Sequence, residues 1–247
     1  MSKRTDSNVY TILFSIGMVI IVGALLAFTA ASLKPTITKN MELEKQQNIL
    51  YAMGVNENDE TSAKFVSTTD APKLFSEYIT KQLVIENGKE IEDNAAYLID
   101  VKVEKSKGAS GRRLPLFIGE KDGKTYYIVP VHGKGLWDAI WGYVSMDENM
   151  VIQGAFFDHA GETPGLGANI KERFFTDDFI GEHLLDNNGN FKGVTVLKGN
   201  ADPKNERKTD NAVDAIAGST ITGDGVSAML KSDLRLYKPY FDQLKNK

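Results

Sequence analysis

The sequence has no cysteine and only three histidines, His132, His159 and His183. Without thiols, disulfides, zinc–thiolate sites, iron–sulfur ligation and a lipidated cysteine are all excluded. The histidines share no ligand-like spacing, so no histidine metal cluster is expected. Basic runs are also lacking, and the formal net charge is −4. Nucleic acid is therefore not an expected partner, because phosphate binding needs clustered Lys and Arg. No dinucleotide-type GxGxxG follows a strand, and no GxSxG elbow occurs, which argues against NADH binding and against a serine hydrolase. Internal repeats and low-complexity stretches are absent.

What is present is a 247-residue chain, 42% hydrophobic and 25% charged. That suffices for one anchor and one ordinary soluble domain, or at most two small ones. The run VYTILFSIGMVIIVGALLAFTAASL, Val9 to Leu33, carries no charge. At about 1.5 Å per residue it crosses a hydrocarbon core of about 30 Å with some tilt. The rival is a cleaved signal peptide, since Lys3 and Arg4 precede the run and Ala30, Ala31 and Ser32 end it. Signal h-regions are shorter, about 7–15 residues, so an uncleaved anchor over residues 1–34 is the expectation. Lys34 and Lys39 flank the far side, so the positive-inside rule barely discriminates. The common arrangement, N-terminus inside and body translocated, is adopted.

Residues 35–247 read as the soluble domain. Pro35 opens a helical stretch from Thr36 to Met53, with apolar positions on one face and Gly54 as its stop. This helix is expected to dock on the body. Asn56 to Asp70 reads as a loop and Pro72 to Leu83 as a helix. Strand signals follow at Ala96 to Val103, Leu114 to Ile118 and, behind an Asp122-Gly123 turn, Thr125 to Val131. Ile140 to Met146 and Met150 to Phe157 read as a hairpin. Phe191 to Leu197 reads as a strand entered from Asn188-Gly189. Helices are expected over Lys171 to Leu185 and Gly223 to Leu236. Strands mostly adjoin strands, which predicts an α+β class: one transmembrane helix, then a mixed, mostly antiparallel sheet with flanking helices.

Three segments carry the chemistry. In Gly133-Lys134-Gly135-Leu136-Trp137, the glycines permit close backbone approach and Trp137 offers a flat face. A tight turn before a core Trp is the plainer reading. In His159-Ala160-Gly161-Glu162-Thr163-Pro164-Gly165-Leu166-Gly167, Pro164 fixes φ and Gly165 and Gly167 open positive φ. Leu166 would be an apolar pad, and Glu162 and Thr163 would reach a polar ring edge. A structural turn with a capping Thr explains the same residues. In Asp214-Ala215-Ile216-Ala217-Gly218-Ser219-Thr220-Ile221-Thr222, hydroxyls precede a predicted helix, whose N-terminus is a ready phosphate site. Thr222 or Asp224 acting only as N-cap is the alternative, and both can hold.

In this order and behind a single span, GKGLW, GETPGLG and AGST resemble the family of the C subunit of Na⁺-translocating NADH:quinone reductases. The likeness covers essentially the whole chain, and GLW favours this family over the related G subunit of Rnf-type complexes. The resemblance implies FMN bound covalently by a phosphoester to Thr220, attached by a flavin transferase that uses FAD. It further implies electron relay within a complex of other subunits in the inner membrane, with the soluble domain on the periplasmic side and Na⁺ transport performed by the whole complex. The family motif, Asp-x-x-Ser/Thr-Gly-Ala-Thr, is kept at Asp214, Gly218 and Thr220. It departs at Ala217 and at Ser219, which places a second hydroxyl beside the acceptor. The expected cofactor contacts are Trp137, Glu162, Thr163, Gly165, Leu166, Gly167, Lys198, Gly218 and Ser219, with Thr220 as attachment point. For Lys198 a solvated surface position is the equal alternative. A non-redox membrane-tethered scaffold, its glycine loops plain turns, is the rival from a different class. It would purify without yellow chromophore.

Overall fold

The computed structural model describes residues 7–59, 62–108, 111–199, 202 and 204–245. Lys3 and Arg4, used above for orientation, lie outside them. The chain divides into two compact units, one reaching to Glu42 and the other running from Leu43.

Helix α1 spans Asn8–Ala52 without interruption, with Pro35 inside it. The separate helix expected after Pro35 is thus a continuation. A proline removes one i→i−4 bond and crowds the preceding turn, but a long helix can re-satisfy the freed groups locally, as spanning helices do. Two hydroxyls in the apolar run also bond back to the helix, Thr29 Oγ1 to the Leu25 carbonyl at 2.8 Å and Ser32 Oγ to that of Thr29 at 2.9 Å. Among the described residues α1 alone is long and apolar enough to cross a membrane, with a best-window mean hydropathy of 2.6. Gly54, at φ 79°, ends it as read. The Gly54 N–H bonds to Tyr51 and the Val55 N–H to Leu50, both at 2.9 Å, the paired bonds of a Schellman stop.

In the second unit, helix α2 (Ala71–Tyr78) leads into strands β1 (Ile79–Glu86) and β2 (Lys89–Glu92). Helix α3 is Val101–Ser106. Strands β3 (Leu114–Lys121), β4 (Lys124–Lys134), β5 (Ala139–Met146) and β6 (Ile152–His159) follow. They form one six-stranded sheet in the order β2-β1-β3-β4-β5-β6, every pairing antiparallel. After β6 come a 3₁₀ turn (Gly167–Lys171), the short α4 (Arg173–Thr176), strands β7 (Thr195–Leu197) and β8 (Ala212–Asp214), α5 (Thr220–Leu234) and α6 (Lys238–Leu244). β7 and β8 pair in parallel, apart from the main sheet. The α+β class and the mostly antiparallel sheet are as expected.

Apart from the exposed edge strand β2, the sheet is buried on both faces, so its strands read as near-continuous apolar runs. One face carries Leu83, Ile85, Leu116, Val129, Val131, Ile140 and Val144 against α5, α6 and the phenylalanines 175 and 179. The other carries Val84, Phe117, Ile128 and Tyr143 against the last turns of α1 and Phe75. Ala52 fixes the second contact: Ser145 Oγ donates to its carbonyl at 2.5 Å, and a Cβ on Gly154 would stand 2.3 Å from that oxygen. Gly154→Ala is therefore expected to lower unfolding free energy by about 2–3 kcal/mol, as overpacking against backbone does, measured as a shift in denaturant midpoint of the full chain.

Four expectations fail locally. Ala96 to Val103 is a 3₁₀ turn and then α3, because the Asp100 carboxylate accepts the Val103 N–H at 3.2 Å and caps a helix. The helix over Pro72 to Leu83 stops at Tyr78, where β1 finds β3. Lys171 to Leu185 is not one helix. Gly181 sits at φ 87° and His183 bridges to Val151, while the spacing of Phe175 and Phe179 serves an edge-to-face cluster with Phe157. Phe191 to Leu197 shortens to β7, because Gly193 turns at φ 71°. The Asn87-Gly88 turn joining β1 to β2, with both residues at positive φ, was legible by the same rule that found Asp122-Gly123.

Candidate functional site

The three segments meet at one edge of the second unit. β4 runs out at Lys134, and residues 135–138 turn back into β5, the Gly135 N–H bonding to the Asp138 carbonyl at 2.8 Å. β6 delivers residues 160–167 beside that turn. α5 packs along β4, close enough that a Cβ on Gly225 would lie 2.3 Å from the Lys134 carbonyl.

Between them lies a cleft of about 270 Å³. Its wall takes Leu136 from the first segment and Glu162, Thr163, Leu166 and Gly167 from the second. Lys198, just past β7, and the run Gly218 to Thr222 complete it. Gly218, at φ 77°, makes the turn before α5, and a Cβ there would also press within 2.9 Å of Leu166. Trp137 and Gly165 are not part of the wall. Trp137 stands beside it, 67% exposed, its Nε1 donating to Thr163 Oγ1 at 3.3 Å. Gly165 supplies positive φ to the loop at 76°.

The two adjacent hydroxyls differ sharply. Helix α5 begins at Thr220, three residues before the predicted start, with Ser219 as N-cap. Ser219 is buried and its Oγ has no hydrogen-bond partner. Thr220, the first helical residue, is exposed. Thr222 is neither cap nor surface group: it is 1% exposed, and its hydroxyl donates to Glu162 Oε2 at 2.5 Å.

Glu162 itself is buried. Its Oε1 accepts the Trp137 N–H at 2.9 Å, and its own N–H donates to His159 Nδ1 at 3.1 Å. Burial pushes this carboxyl up. The Thr222 hydroxyl and the N–H groups of Trp137, Leu136 and Asp138 outweigh burial and hold it below the usual carboxylate range. Glu162 is thus an ionised group turned inward between loops. Leu136 and Ile221, both exposed apolar wall residues, went unassigned in the sequence, where neither carries a chemical signature.

As a receptor for an anion with an apolar body, the site has matching parts. The first turn of a 15-residue helix offers N–H groups and positive partial charge. Lys198 adds a cation, and Leu136, Leu166, Ile221 and Trp137 add apolar surface.

The FMN-binding domain family matches residues 135–235, which holds all of these parts, the His159 contact included. Over the whole chain, the C subunit of the Na(+)-translocating NADH-quinone reductase from Pseudomonas aeruginosa is 30% identical over 245 residues, covering 91% of this chain and 90% of its own. The C subunit from Neisseria meningitidis (serogroup B) is 29% identical over 271 residues, covering 100% and 98%. The crystal structure of the C subunit from Parabacteroides distasonis superposes with a TM-score of 0.72 at 34% identity, covering 85% of this chain and 96% of that one. The sequence likeness runs along nearly the full length and the shared architecture along 85% of it, and the chain belongs to the C-subunit family of the Na(+)-translocating NADH-quinone reductases.

Proposed function

We propose that this chain is the FMN-bearing electron-transfer subunit of a membrane NADH:quinone reductase, with FMN joined through its phosphate to the Thr220 hydroxyl. The first half of that statement follows from family membership and the FMN-binding domain. Coupling to Na⁺ movement belongs to the whole complex. The observation that carries the attachment is the exposed Thr220 at the first position of α5, inside a cleft built from all three segments. Bound there, FMN supplies the redox chemistry, and the protein contributes placement and electrostatics.

The residues fit that cofactor. The α5 N-terminus and Lys198 suit a phosphate, and the glycines at 167 and 218 keep backbone close to the cleft. Leu136, Leu166, Ile221 and Trp137 suit the ring, Thr163 its polar edge. Glu162 bounds the cleft, with its carboxylate already engaged.

It is a single-pass membrane protein with α1 as the span. In our reading residues 1–34 anchor and residues 35–247 carry the flavin, in the inner membrane with the soluble part on the periplasmic side. The other subunits of the complex are its standing partners and a flavin transferase its maturation partner. Intact mass spectrometry of the full chain, incubated with flavin transferase and FAD, tests this. One added FMN is expected, mapping to the peptide with Thr220. An unmodified mass despite active transferase sinks the covalent reading.

A further inference from the structure

We propose that Glu162 is a positioning residue: by holding the Thr222 hydroxyl inward it turns Thr220 outward and presents it for flavin transfer. The inference rests on Thr220 being the acceptor.

Glu162 joins segments far apart in the chain. Oε1 holds the Trp137 N–H, 25 residues back, and Oε2 holds the Thr222 hydroxyl, 60 residues ahead. The carboxylate is closely enclosed. A Cβ on Gly135 would lie 2.6 Å from Oε1, and one on Gly167 would lie 2.5 Å from both Oε2 and Thr222 Oγ1. Both oxygens are thus engaged inside the protein rather than offered to a ligand.

What the tie controls is helix rotation. Successive residues on an α-helix differ by roughly 100°, so positions two apart face nearly opposite ways. A buried Thr222 therefore sets an exposed Thr220, as observed. The first turn needs such a tie, because the N-cap Ser219 makes no side-chain capping bond and helix ends fray without one. The Glu162–Thr222 bond supplies the missing constraint from another part of the fold.

In the transfer, Thr220 Oγ1 forms a bond to the flavin-side phosphorus of FAD. The phosphoanhydride bond breaks, AMP leaves, and the threonine proton is released. A hydroxyl that wanders through several orientations meets the phosphorus less often in line, and misplacement of about 1 Å can cost on the order of a hundredfold.

The test uses the full chain in detergent with FAD and flavin transferase, reading the initial rate of covalent flavin incorporation against protein concentration. Thr222→Val removes the hydroxyl and keeps the buried volume. Its kcat is expected to fall roughly tenfold to a hundredfold with KM little changed. Thr222→Ser restores the donor and should return the rate to within a few-fold of wild type. Glu162→Gln keeps the tie without the charge, its carbonyl accepting from Trp137 and its amide donating to Thr222. It should also label near the wild-type rate, whereas Glu162→Ala should not. Thr222→Val labelling as fast as a wild-type chain that labels at Thr220 overturns this proposal alone. So does Glu162→Gln, folded by circular dichroism, losing as much as Glu162→Ala. A wild-type chain that takes no flavin on Thr220 overturns the acceptor reading and the positioning role with it.

Discussion

Thr220→Val is expected to leave the chain without covalent flavin, and Ser219→Ala to be labelled like the wild type. The two hydroxyls are neighbours in sequence, and the motif as it stands here, Gly-Ser-Thr, does not separate them. Their surroundings do. A transferase must bring a bulky dinucleotide to the acceptor oxygen, and only the exposed residue offers one. Thr220 is exposed at the start of α5, whereas Ser219 is 6% exposed beneath it. Neither change should unfold the protein. Valine matches threonine in shape at a surface position. Ser219 Oγ is buried without a partner, so alanine removes a desolvated hydroxyl that gains nothing, and stability should hold or rise by up to about 1 kcal/mol. The measurement is peptide mapping of each variant after incubation with FAD and transferase, with circular dichroism as the folding control. Flavin persisting in Thr220→Val, on the Ser219 peptide, would move the attachment one residue back.

The second large effect concerns a residue outside the cleft wall. Glu182→Gln should flatten a pH dependence of stability that the wild type shows between about pH 4.5 and 7. Glu182 is fully buried, neither carboxylate oxygen makes a hydrogen bond of good geometry, and the Lys208 ammonium is 3.9 Å away. Burial pushes its carboxyl from 4.5 up to about 7, offset only in part by Asn205, Lys208 and the Ala212 N–H, with Asp210 adding to the rise. The folded chain therefore keeps a proton that the unfolded chain releases. That contribution is complete below pH 4.5 and is lost as pH rises through 7. At about 1.4 kcal/mol per unit, the wild type should lose about 3 kcal/mol across the window through this group. The amide variant carries no such titration. It should come within about 1 kcal/mol of the wild type near pH 5 and exceed it by up to about 3 kcal/mol at pH 8. Denaturant unfolding at pH 5, 6, 7 and 8 reads both slopes. Parallel curves would mean that Glu182 stays ionised, satisfied by water or by a closer Lys208.

These residues show where sequence reasoning reaches and where it stops. The charge-free run from Val9 to Leu33 needs no partner to be read, because its length and composition are set against lipid. Asp122-Gly123 and Gly54 are equally local: positive φ is a property of the residue and its neighbours. The β5–β6 hairpin was legible because Asp147 to Asn149 interrupts two apolar runs. Lys171 to Leu185 misled for the opposite reason. Its spaced phenylalanines imitate a helical face, yet they answer to Phe157 on β6, and Gly181 breaks the period. In a sheet buried on both faces, short apolar runs are ambiguous between strand and helix. Ala96 to Val103 was such a run, and a single capping aspartate decided it.

The same division runs through the site. The sequence alone determined that there is one long apolar run fit to span, an α+β body and three unusual segments, the last with hydroxyls near a helix start. Those are matters of composition, spacing and special backbone chemistry, all carried within a few residues. Only the tertiary structure decided which hydroxyl faces out, where α5 begins and which groups Glu162 bonds. Exposure is set by packing, and a buried carboxylate takes its meaning from donors 25 and 60 residues away. No local pattern contains those distances, because they exist only once β4, β6 and α5 have closed on one another.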